Sequence, residues 1–337
     1  MKDKKPKNKK GKVVLGIILL MLILIAIIVA VAAYAITNTL NSMVKDDLDE
    51  TDLAINENIY DEITEYGITK SEFDSIVNIA FFGSDSRDLS NQEEGRTDTI
   101  MIMSLNPVKE TVKMISIPRD TYVNIPGHGM DKINHSYWFG QEQLAIKTIN
   151  SNFGLDISEY VTINFEGLIH VINAIGGVTV DITSGERDII NNHVRESYAI
   201  TGKSYKALYD YGKVELSGEQ ALAHARNRSI GNDFERAARQ REIIEAVMEK
   251  LSTRTMPELL DLVEIFLKEV KTNINVMDYV GLGTKVLANR GTYLDNITSA
   301  QVPSADDAKG QYINKIYYFV PNIKDAKEDM LNYIYNM

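Results

Sequence analysis

The sequence predicts an α/β domain, and three observations predict it. From Ser75 to the end of the chain, strand-like and helix-like segments alternate, the pattern of a sheet covered by helices. Three apolar runs rich in Ile, Phe and Met, Ile76 to Phe82, Thr99 to Leu105 and Val112 to Ile117, have the length of buried strands. Asp85, Arg87, Arg96, Asp98, Arg119 and Asp120 gather at the ends of those runs. Strands fix the backbone, so the loops at their ends are where charged groups are both held and accessible.

Four segments precede or follow that core of residues 75–253. The first twelve residues carry seven lysines and one aspartate, too charged to fold alone. Residues 13–36, Val13 to Ile36, hold no charge and are mostly Val, Ile, Leu and Ala, enough for the ~20 helical residues that cross a bilayer. A signal peptide would have a core of only ~7–15 residues and an A-x-A site, so an uncleaved anchor is expected. Lysines before the span and Asp46, Asp47, Asp49 and Glu50 after it place the amino terminus inside: one transmembrane helix, type II, in the cell membrane, with the domain extracytoplasmic. Residues 37–74 are polar with sparse apolar positions and read as a stalk, helical or partly disordered. Residues 254–337, with strand-like Tyr317 to Val320, complete the domain.

Composition excludes several classes. With no cysteine, neither a disulfide scaffold nor a thiol nucleophile is available, so a domain of this length must rest on its own core. The first twelve residues account for +6 of a net −11, leaving −17 on the rest, a poor match for nucleic acid. Against that acidic background, clustered arginines need an explanation. Asp85 and Asp98, each near arginine, suit a divalent cation meeting an anionic substrate: carboxylate oxygens for Mg²⁺, guanidinium forks for phosphate. Gly83 and Gly95 allow sharp turns there. Taken singly, each of these residues also fits a turn, a cap or a surface ion pair.

Beyond Asp120, Pro126, Gly127 and Gly129 form a loop, and a helix-like segment follows Asp131 to His135 and ends near Phe153. Val161 to Asn164 and Val178 to Ile182 read as strands around a helix from Glu166 to Ala174. Lys132, Asn134, His135, Tyr137 and Trp138 could line a pocket, although a lone histidine is more often structural. Phe165, Leu168, Ile169, Val171 and Ile172 fit a core or a lipid channel equally. Arg187 to Tyr211 is polar and without period, expected as a surface excursion over the site.

The last informative stretch is LSGEQALAHARNRSIGNDFERAARQREIIEAVMEKL. Ser217 and Gln220 form a capping-box pattern for a helix ending near Arg226, and Asp233 opens a helix reaching Leu251. At about 100° per residue from Arg236, the apolar Ala237, Ile243, Ile244, Val247 and Leu251 span about −20° to +100°. Arg236 and Gln240 fall inside that stripe, Arg239 on its shoulder, and Arg241 outside. A buried arginine is costly unless it meets an anion, either an internal carboxylate or a ligand. Arg226 and Arg228 just upstream favour a ligand with several phosphate charges.

GSDSR, GRTDT, SIPRDTYVNIPG, DKINHSYWFG, VTINFEGLIHVINAIGGVTVDI, LSGEQALAHARNR and DFERAARQ, in this order, give the chain a resemblance to the LytR-CpsA-Psr (LCP) family. The basic tail and single span fit it too. The resemblance implies an α-β-α sandwich with a central mixed sheet. It also implies a phosphotransferase moving an anionic glycopolymer, such as wall teichoic acid or capsular polysaccharide, from an undecaprenyl-pyrophosphate carrier to peptidoglycan through a phosphodiester. Carried over by motif, Asp85 and Asp98 serve Mg²⁺ and the pyrophosphate; Arg87, Arg96, Arg119, Arg226, Arg228, Arg236 and Arg239 hold phosphates beside Gln240. Asp85, Asp98, Arg119 and Arg236 would be the catalytic residues. Where the family often has RQQ, this chain has Arg239, Gln240 and Arg241, and the last points away. A non-catalytic lipid-phosphate or wall-polymer binding protein, and a polyprenyl-pyrophosphate hydrolase, would share most of these residues.

Overall fold

The computed structural model describes residues 44–45, 48–84, 97–201, 206–227, 268–275, 289–304 and 306–336, with isolated positions between 230 and 286. Strand β1 (Val44–Lys45) and the short helices α1 (Ile59–Ile63) and α2 (Lys70–Phe73) lead into β2 (Val77–Ser84), β3 (Thr97–Asn106) and β4 (Thr111–Ile117). A hairpin of β5 (Tyr122–Ile125) and β6 (Gly129–Lys132) precedes α3 (Ile133–Phe153), β7 (Glu159–Asn164) and α4 (Phe165–Ala174). Then come β8 (Val178–Ile182), α5 (Ser184–Thr201), β9 (Gly212–Leu216), α6 (Gly218–Ala225), β10 (Val270–Thr272) and α7 (Arg290–Asp295). Strands β11 (Ile297–Gln301), β12 (Ala308–Ile313) and β13 (Ile316–Pro321) and helix α8 (Ile323–Tyr335) complete the described elements.

Seven strands form one mixed sheet in the order β1-β10-β7-β2-β3-β4-β11. Alternation along β2 and β3 sends successive side chains to opposite faces, and each face has its own core. Ile79, Met101 and Met103 pack on the α4, α5 and α6 side. Ala80, Phe82, Ile100 and Ile102 pack on the α3 and α8 side. A sheet apolar on both faces needs a helical layer on each, which is why these runs read as continuously hydrophobic. The chain is therefore a mixed α/β fold with a central mixed sheet.

One local irregularity positions the site. Gly83 pairs with Thr99 and Ser84 with Thr97, so β3 carries one extra residue, Asp98, in a β-bulge. Bulges bend a strand and re-aim a side chain. At Gly83 a Cβ would sit 3.0 Å from Thr99 Cβ, so glycine permits this close pairing.

Two expectations are corrected. Residues 48–74 of the expected stalk lie on the domain: Leu53 and Ile63 are fully buried, with Ile59 and Ile68, in the α3–α8 core. Each such side chain contributes about 1.5–3 kcal/mol, enough to hold short helices that would not form alone. Residues 187–201 of the expected surface excursion belong to helix α5, whose Ile190 and Val194, one turn apart, enter the α4–α6 core. Among the described residues no helix is long and apolar enough to cross a membrane, and the expected span 13–36 lies outside them.

Candidate active site

The ends of β2, β3, β4 and β7 meet at one edge of the sheet. Ser84, the last residue of β2, pairs with Thr97 on one side and Asn164 of β7 on the other. Asn164 accepts a hydrogen bond from the Gly167 backbone N–H at 2.8 Å, capping α4 where the strand hands over to the helix. Residues 118–120 leave β4 at the same edge, since Ile117 pairs with Ile100.

Here Arg119 Nη1 donates to Asp98 Oδ1, joining the bulge of β3 to the end of β4. The pair is part-exposed, 19% and 21% for the two side chains, so it is ordered by packing and still reaches solvent. Arg119 Nε lies 3.6 Å from Asp120 Oδ2, and Lys132 Nζ donates to Asp120 Oδ1 at 2.6 Å. Lys132 ends β6, so the hairpin is tied to the β4 exit by charge as well as by backbone. His135 Nδ1 lies 2.7 Å from Asp131 Oδ2. Burial raises the Asp131 carboxyl, but the His135 hydrogen bond, the Lys132 backbone N–H, the His135 charge and the Tyr318 hydroxyl outweigh it, so its pKa lies below the usual 3.8. The result is alternating charge, Asp98, Arg119, Asp120, Lys132, along one rim.

Arg226 follows α6, whose capping box at Ser217 and Gln220 is as expected. Its guanidinium stands 4.5 Å from the Phe165 ring centroid, over the residue that follows Asn164. Arg226 is thus at the same sheet edge as Asp98 and Arg119, at the exit of β7, which β2 separates from the β3 bulge. A guanidinium held on an aromatic face keeps its N–H fork free to turn toward an anion.

Arg239 is placed differently. It is 6% exposed, and Nη2 donates to the Asn227 carbonyl at 2.7 Å and the Ile230 carbonyl at 2.9 Å, while Nη1 lies 3.8 Å from Glu186 Oε1. A buried arginine there is expected to meet an internal carboxylate or a ligand; the partners found are the internal Glu186 carboxylate and two backbone carbonyls. Arg239 therefore braces the turn after Arg226 through its Nη2. Asp85, Arg87, Arg96, Arg228, Arg236 and Gln240 lie outside the described residues. Among the described residues no three His, Asp or Glu side chains converge as a metal cluster.

Beneath the rim lies a network that sequence reasoning missed. Glu142 accepts hydrogen bonds at Oε1 from the Tyr137 hydroxyl at 2.9 Å and the Thr162 hydroxyl at 2.8 Å. At Oε2 it meets Lys271 Nζ at 3.0 Å. Burial, and then the Glu142 charge, push the Tyr137 hydroxyl far above its ordinary pKa, fixing it as a neutral donor. One signal existed: Glu142 precedes Ala145, Ile146 and Ile149 by three, four and seven residues, the spacing of a buried helical face.

Comparison with known proteins follows the same lines. The LytR_cpsA_psr family profile matches residues 30–333. A protein of Oceanobacillus iheyensis named polyisoprenyl-teichoic acid–peptidoglycan teichoic acid transferase TagU is 35% identical over 265 residues, 76% of this chain and 74% of its own. The TagT transferase of the same description from Bacillus subtilis is 30% identical over 308 residues, 90% of this chain and 88% of its own. A solved structure of the LytR-CPS2A-psr family protein YwtF (TagT) with bound octaprenyl pyrophosphate lipid aligns with a TM-score of 0.54 at 26% identity. That alignment covers 77% of this chain and 90% of the other.

Proposed function

We propose a reaction for this chain from one premise: it belongs to the LytR_cpsA_psr family, whose profile spans residues 30–333. The chain is a transferase that moves a teichoic acid or similar anionic glycopolymer from a polyprenyl-pyrophosphate carrier to peptidoglycan. The observation that carries the assignment to a site is the Asp98–Arg119 pair, set at a bulge on the strand edge that Arg226 also reaches.

In the donor, two phosphates join the polyprenol to the polymer. An acceptor hydroxyl of the glycan attacks the polymer-side phosphorus, the bond from that phosphorus to the bridging oxygen breaks, and polyprenyl phosphate leaves. The product is a phosphodiester. The hydroxyl proton passes to Asp98, and Arg119, held in place by that same carboxylate, neutralises charge on the phosphate oxygens. Arg226 takes a second phosphate. Arg87, Arg96, Arg228 and Arg236 add positive charge, with Gln240 a neutral donor; Arg239 supports the Arg226 turn through the Asn227 and Ile230 carbonyls.

Mg²⁺ fits the donor set, because Asp98 offers a part-exposed carboxylate at the strand edge and Asp85 directly follows Ser84, the strand's last residue. Bound by these two, it would supply charge neutralisation at the pyrophosphate. Residues 13–36 anchor the domain outside the cell membrane beside its lipid-borne donor, raising the effective concentration of both.

The test is transfer by the purified chain with a polyprenyl-pyrophosphate-linked saccharide, peptidoglycan oligomers, and Mg²⁺ or EDTA, read by mass spectrometry. A Mg²⁺-dependent phosphodiester between saccharide and glycan is expected. Phosphosaccharide released to water in the presence of acceptor would instead mark a hydrolase.

A further inference from the structure

Trp138 and Phe139 are 50% and 37% exposed, although large aromatic side chains normally bury their area. They do not stand singly. The His128 ring stacks on Phe139 with centroids 4.1 Å apart and planes at 9°, and Trp138 and Phe139 lie 5.0 Å apart. His135 meets both by its edge, at 6.5 Å and 6.3 Å. A helix break holds this plate outward: Gly140 and Gln141 leave helical geometry, and Gln141 adopts φ 50. That left-handed conformation is strained for a residue with a Cβ, and such strain gathers at functional positions. Beyond the break, α3 resumes with Glu142 buried; before it, the aromatic turn faces solvent.

The plate is continuous with the catalytic rim. His135 is paired to Asp131, Asp131 is followed by Lys132, and Lys132 reaches Asp120, which neighbours Arg119 and through it Asp98. An apolar plate bordered by hydrogen-bonding ion pairs matches one ligand chemistry well. A pyranose has an apolar C–H face that stacks on aromatic rings, and a rim of hydroxyl and amide groups that need polar partners.

We infer that the Trp138–Phe139–His128 plate is the subsite that seats the acceptor glycan, a β-linked amino-sugar strand that runs along the charged rim toward Asp98 and Arg119. The inference rests on the transferase reading given above. A bilayer surface is the rival occupant of exposed aromatics, but it would strip water from the Asp131–His135 and Asp120–Lys132 pairs without replacing their hydrogen bonds. A glycan replaces them with hydroxyls and amides.

Trp138 is the only tryptophan of the chain, so its emission reports on this plate alone. Full-length protein in nanodiscs is titrated with undecorated peptidoglycan oligosaccharides, and with maltohexaose as control. A saturable change in Trp138 emission with the former and none with the latter is expected. In the transfer assay, Trp138→Ala should raise KM for the glycan about tenfold while leaving kcat and donor binding near wild type, and Trp138→Phe should recover most of the loss. Unchanged emission at saturating oligosaccharide, or an unchanged acceptor KM, overturns the subsite. Quenching of Trp138 by brominated lipid chains overturns it in favour of a membrane seat. The fluorescence arm needs no turnover: glycan binding at Trp138 without any transfer would overturn the transferase reading, and with it the acceptor role, and leave the plate as a glycan-binding site alone.

Discussion

Lys271 Nζ lies 3.0 Å from Glu142 Oε2, with side chains 4% and 1% exposed, joining residues 129 positions apart beneath the strand edge. Glu142 spends its other oxygen on Tyr137 and Thr162, so the carboxylate is satisfied on both sides. Such a pair contributes little net stability, because desolvation offsets attraction, yet losing one partner leaves a buried charge. Glu142→Gln should therefore destabilise the domain by about 3–5 kcal/mol in urea unfolding, while Glu142→Gln with Lys271→Met should recover much of that loss. Equal instability of the single and double variants would show that Lys271 does not depend on this carboxylate.

The Asp98–Arg119 pair predicts a different pattern. Arg119→Ala should lower transfer by roughly 10²–10³-fold, the usual cost of removing one preorganised charge donor. Asp98→Asn should lose a comparable factor. Since Asp98 holds Arg119, the double variant should be little worse than the worse single one. Multiplying losses would mean that the two act separately. Folding should change little, because the pair is part-exposed.

How much of this was legible beforehand depended on the range of the interaction. β2, β3 and β4 were readable because both faces are covered, so their runs are apolar without interruption. The charged strand ends followed, and the contact of Asp98 with Arg119 lies among them. What sequence could not supply was pairing across distance: nothing local tells Glu142 that its partner is Lys271. Helix α5 was missed because only Ile190 and Val194 of its central turns are deeply buried, too sparse to outweigh its polar residues. The chain after Leu48 was misread as a stalk for the same reason, as Leu53, Ile59, Ile63 and Ile68 sit in separate short elements. For Arg239, the helical wheel found the burial and not the partner, since a wheel describes one element and the Asn227 and Ile230 carbonyls belong to another.

Arg239 and Arg226 should separate cleanly. Arg239→Met leaves the Asn227 and Ile230 carbonyls without their shared donor, at a cost of about 1–3 kcal/mol, and loosens the turn that follows Arg226. Stability and donor affinity should fall together. Arg226 is exposed, so Arg226→Ala should weaken binding of the lipid-linked donor with no measurable change in urea unfolding. Paired calorimetric titration and unfolding curves decide it. A stable Arg239→Met variant with impaired donor binding would return Arg239 to the phosphate site.

Asp131 and Asp156 should shape the acid limb of stability in opposite directions. The folded pKa of Asp131 is depressed below 3.8, chiefly because His135 and the Lys132 N–H overcome its burial. Its contribution is therefore complete above that value and lost as pH falls below it through the folded pKa. Asp156 is raised above 3.8 by burial, only partly opposed by the Asn78 hydrogen bond, so its ionised form costs stability as pH rises through its folded pKa. Asp131→Asn should be less stable than wild type at neutral pH and converge with it in strong acid. Asp156→Asn should match wild type in strong acid and gain on it as pH rises toward neutral. Urea unfolding at a series of pH values measures both differences. If Asp156→Asn gains nothing at neutral pH, the Asp156 carboxylate is already compensated there, and burial does not set the sign of its linkage.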